Sequence, residues 1–87
     1  MIQVNIHGMS NENFKIDIGE NESELKTISV LSLKKKIIKD KALSMDPENF
    51  RLLFGGKQLE HEKMLSDYQI TDKSLILMVL RVTGGFN

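Results

Sequence analysis

The stretch Phe50–Glu60, "FRLLFGGKQLE", decides the architecture. "FRLLF" reads as a strand, with Leu52 and Phe54 on one face and Leu53 on the other. Gly55-Gly56 breaks that run, and "KQLE" reads as a short returning strand. A hairpin this short needs more strands beside it before it can bury anything.

Those strands are found by working outward. Downstream, "LSDYQI" (65–70) holds a polar turn between Leu65 and Ile70, consistent with one helical turn. "SLILMVLRV" (74–82) is the strongest strand candidate. Ile76, Met78 and Leu80 face one way in it, and Leu75, Leu77 and Val79 face the other. Upstream, "IQVNI" (2–6) and "FKIDI" (14–18) both alternate apolar and polar residues around the turn formers "GMSNEN". They predict a hairpin with Ile2, Val4 and Ile6 on the same face as Phe14, Ile16 and Ile18.

Between the hairpins, "GENESELK" is polar and acidic and is expected to be an exposed loop. A helix follows, with Ser29 as N-cap, Val30, Leu33 and Ile37 on one stripe and Leu31 and Ile38 beside it. Lysines in its later turns suit the negative end of the helix dipole. Pro47 keeps Asp46 out of helical geometry. The expected class is α+β, a mixed sheet of four to five strands packed on one helix.

Composition narrows the function. The chain has 87 residues, enough for one domain, and its twelve basic and twelve acidic side chains cancel. No net field recruits nucleic acid or an anionic membrane, and the run "KKKIIKDK" is expected to be a solvated helix end. Without cysteine there are no disulfides, thiolate metal sites or cysteine nucleophiles. The start "MIQVNIHGMS" lacks the pattern of a secretory signal, and no apolar run approaches the roughly 20 residues that cross a bilayer. His7 and His61 stand alone, without metal-ligand spacing, and Ser66-Asp67 reads as a cap rather than a nucleophile with its base. No enzyme, metal or cofactor is expected. A monomer in the cytoplasm and nucleus is.

At "FRLLFGGKQLE", "LSDYQI" and "LILMVLRVTGG" the chain resembles the ubiquitin-like modifier family, in the same order and at nearly the same spacing. The first hairpin and the helix fit with looser identity. The loop at 20–27 is about half a dozen residues longer than in ubiquitin by this comparison, and the helix-to-strand connection about two longer. The resemblance implies a β-grasp domain over residues 1–82 and a tail over 83–87 carrying Gly84-Gly85 and then Phe86-Asn87.

What the resemblance implies about function is specific. Members of this family act through a C-terminal glycine carboxylate, which an activating enzyme adenylates and conjugating enzymes pass on as a thioester to a lysine. Paired glycines suit a narrow channel because they lack Cβ atoms. A processing protease is expected to cut after Gly85 and remove Phe86. Arg81 matches the arginine that docks with the activating enzyme, while Thr83 replaces a second arginine, at a loss of about 1.5–3 kcal/mol if that charge-assisted contact matters here. Met9, Leu53 and Val79 match the family's apolar docking patch for ubiquitin-binding domains, and Leu77 adds to it where ubiquitin has a histidine. Lys57 matches the acceptor most used for degradative chains, and Lys34 and Lys36 match helix lysines. The other prominent chain lysine is replaced by Asp72. Two other readings stay open: an interaction domain that is never conjugated, and an adaptor domain within a longer chain.

Overall fold

The computed structural model describes residues 1–8 and 10–80. Five strands form one mixed sheet in the order β2-β1-β5-β3-β4. They are β1 (Ile2–His7), β2 (Asn13–Gly19), β3 (Phe50–Phe54), β4 (Lys57–Gln58) and β5 (Leu75–Leu80). One helix, α1 (Val30–Asp40), lies on one face of the sheet. β1 pairs antiparallel with β2 and parallel with β5, while β3 pairs antiparallel with both β4 and β5. The parallel β1–β5 contact is possible because a long connection that includes α1 separates the two strands in sequence.

Alternation puts the core where the sequence predicts it. Ile2, Val4 and Ile6 of β1, Ile16 and Ile18 of β2, Leu52 of β3 and Ile76 and Met78 of β5 are buried against Val30, Leu33 and Ile37 of α1. Phe14 is half-buried at the margin, where the Lys41 ammonium lies 4.6 Å from its ring centroid. Gly55 and Gly56 turn β3 into β4 at φ of 60° and 83°, the left-handed region that glycine enters without strain.

The helix N-terminus is held from two directions. Ser29 Oγ accepts from the Ser32 amide at 3.1 Å, as its N-cap role predicts. The Val30 amide donates to the Lys63 carbonyl at 2.9 Å, and the Leu31 amide to the His61 carbonyl at 3.3 Å. The segment 61–63 therefore satisfies first-turn N–H groups that a helix cannot satisfy itself.

The structure departs from the sequence reading at two places on the frame. Residues Glu22–Lys26, expected to be exposed loop, form a 3-10 turn that drives Leu25 into the core, where it is 2% exposed. This turn packs against the end of β2 and against a second 3-10 turn, Leu65–Tyr68. It is tied off by Glu24, whose carboxylate accepts from the Glu20 amide at 2.8 Å. Leu80, expected to share the buried face of Ile76 and Met78, is exposed at the end of β5. Its cross-strand partner Phe50 is covered, at 1% exposed, so inward direction alone does not bury the strand's last residue.

Candidate functional site

The face of the sheet away from α1 carries an apolar stripe. Leu75, Leu77 and Val79 leave β5 on this face and are 54%, 39% and 36% exposed. Leu53 of β3 stands directly across from Leu77, and Arg51 across from Val79. On the other flank His7 pairs with Leu77 and Asn5 with Leu75. The His7 ring is fixed by Asn13, Nδ1 to Oδ1 at 2.8 Å. Period-two alternation places these residues together, since burying Ile76 and Met78 forces their neighbours outward. Of the expected patch, Leu53, Leu77 and Val79 come together, whereas Met9 lies outside the described residues. Leu75 continues the stripe along β5, and the same alternation points to it in the sequence.

The expected tail residues Arg81, Thr83, Gly84, Gly85 and Phe86 also lie outside the described residues. The chain enters them from Leu80 at the end of β5, the strand that carries the stripe.

Lysines divide by position. Lys57 sits exposed on β4, immediately after the Gly55-Gly56 turn. Lys36 is exposed on α1, 4.0 Å from Asp40 one turn later. Lys34, expected to be an acceptor, is corrected by its surroundings: the residue is only 4% exposed. Its Nζ donates to the Pro47 carbonyl at 3.1 Å and the Phe50 carbonyl at 2.8 Å, and lies 2.8 Å from His61 Nε2. Its ammonium also sits 5.2 Å from the Phe50 ring centroid. An amine held in this way is not presented to an incoming thioester. Asp72 is engaged as well, its carboxylate accepting from the Gln3 amide at 2.9 Å.

A family model described as the ubiquitin family matches residues 2–83, nearly the whole chain. The chain belongs to the ubiquitin family. Its mixed five-stranded sheet over a single helix is the β-grasp architecture of that family. It is also similar to the ubiquitin-like protein NEDD8 of Dictyostelium discoideum, at 44% identity over 39 residues. That match covers 45% of this chain, which spans about half the length of the relative (51%). Ubiquitin-like modifiers are not themselves enzymes, and members of this family engage the enzymes of conjugation pathways.

Proposed function

We propose that this chain is a ubiquitin-like protein modifier, joined through the Gly85 carboxylate to lysine amines of other proteins. The observation that supports it most is the family match running to residue 83, directly before Gly84-Gly85. In this reading the Gly85–Phe86 peptide bond is first hydrolysed, since an amide at that position offers no acid to activate. ATP then converts the carboxylate to an acyl-adenylate with loss of pyrophosphate. An enzyme thiolate displaces AMP, and a lysine amine displaces the thiol to leave an isopeptide bond. Activation engages Arg81, with Thr83 contributing no charge. Lys57 and Lys36 are the exposed positions proposed as acceptors within this chain.

Intact mass of the protein recovered from its own cells tests this reading. A species ending at Gly85, with heavier adducts beside it, is expected. Trypsin cutting after Arg81 leaves Val82-Thr83-Gly84-Gly85 on each modified lysine, a stub that peptide mapping detects. Protein that keeps Phe86 and never yields that stub would falsify conjugation.

The stripe supports a second reading, a docking domain that needs no activated tail. A patch below standard interface size binds weakly and reversibly, with Kd of roughly 10–100 µM. Leu53→Ala combined with Val79→Ala is expected to abolish binding of helical ubiquitin-binding peptides at these concentrations. Neither side chain is in the core, so thermal unfolding should move by only a few degrees. Titration calorimetry that finds affinity unchanged would remove the stripe from the account.

A further inference from the structure

We infer that the Lys34–His61 contact is a proton-operated latch that holds the turn at residues 60–63 onto the helix. Lys34 has three N–H donors, and two carbonyl oxygens and His61 Nε2 at 2.8 Å lie within their reach. Only one proton fits between two nitrogens at that distance. The lysine supplies it, so Nε2 carries a lone pair and the ring proton sits on Nδ1.

Adding a proton to Nε2 turns the acceptor into a donor and sets two cations in contact. The buried amine is tied to two carbonyls. His61 is half-buried beside Leu31 and Pro47 and has solvent on its open side, so the ring is the partner that leaves. Several charges face the ring. α1 presents Lys34, the turn at Pro47–Asn49 presents Glu48 with Asp46 just before it, β3 presents Arg51, and the latch segment itself carries Glu60 and Glu62. The four carboxylates are all exposed and screened by solvent. Lys34 is the charged group in direct contact with the ring, and it is buried.

The consequence reaches the helix because the same segment caps it. His61 and Lys63 carbonyls accept from the Leu31 and Val30 amides, and the ring ties the same segment to the buried Lys34 amine, beside the bond from the Glu60 amide to the Tyr68 hydroxyl. With the ring released, the first turn of α1 opens more often. Val30 and Leu31 amides should then exchange with solvent faster, while Ile6 and Leu52 amides in the sheet keep their protection.

Two measurements on the intact protein test this. Nitrogen-15 spectra of the imidazole at about pH 7.5, where an ordinary histidine is neutral, should show the proton on Nδ1 and a bare Nε2. Amide exchange, corrected for intrinsic rates, should accelerate at Val30 and Leu31 by about tenfold or more between about pH 7.5 and about pH 5.5, the size expected for losing one charge-assisted bond. In His61→Gln, whose amide oxygen accepts at either pH, that acceleration should vanish. A proton found on Nε2 at the higher pH overturns the latch. So does exchange that is indifferent to acid, or an acceleration that His61→Gln shares.

Discussion

Phe50→Ala should lower the unfolding free energy by about 3–5 kcal/mol, the cost of emptying a phenylalanine site in a packed core. Phe50 is 1% exposed and opens β3, where it pairs with Leu80 of β5. Its ring also lies under the Lys34 ammonium, an attraction worth about 0.5–2 kcal/mol that alanine cannot replace. The loss therefore combines a cavity with a buried cation deprived of its aromatic neighbour. Each kcal/mol is worth about 4–8 °C in Tm for a domain of this size, so the variant should be largely unfolded well below the melting point of the parent. Phe50→Leu, which keeps most of the volume, should cost under about 1.5 kcal/mol. Urea denaturation separates the two variants. A loss below about 1 kcal/mol for the alanine variant would mean that this end of the core collapses around the gap.

Leu25→Ala should cost about 2–4 kcal/mol, although it lies in a segment of polar and charged residues. The side chain is as buried as those of the strands, and the 3-10 turn that delivers it packs against Leu65–Tyr68. Glu22→Ala in the same turn is exposed and should change stability by less than about 0.5 kcal/mol. Equal and small effects at both positions would show that the longer segment is an ornament on a core complete without it. The expected inequality makes the insertion a structural part of the domain. The apolar stripe lies on the opposite face of the sheet and should be unchanged in both variants where they remain folded.

These expectations also mark what a sequence can disclose. Strands β1, β2, β3 and β5 and the N-cap at Ser29 were legible because period-two alternation and a single hydroxyl are local signals. Leu53, Leu77 and Val79 followed from the same alternation, so the stripe was readable before any coordinates. Leu25 was not, because one leucine among polar neighbours has no period to announce it. Lys34 looked like Lys35 and Lys36, since three consecutive lysines differ only in phase. That phase was available: Lys34 lies four residues after Val30 and three before Ile37, on the stripe that faces the sheet. Leu80 is exposed although alternation points it inward, because alternation gives direction and not coverage. His61 carries no motif at all, and its role depends on a turn brought beside Lys34 of α1 from 27 residues away in the chain, a distance no local pattern spans.

The strand order has a mechanical consequence. β5 lies in the middle of the sheet, flanked by β1 on one side and β3 on the other, and Leu80 is its last residue. A load hung on the chain beyond Leu80 therefore pulls lengthwise on a strand gripped along both flanks. Tension of this kind strains many hydrogen bonds together, where a strand at the border would peel away one bond at a time.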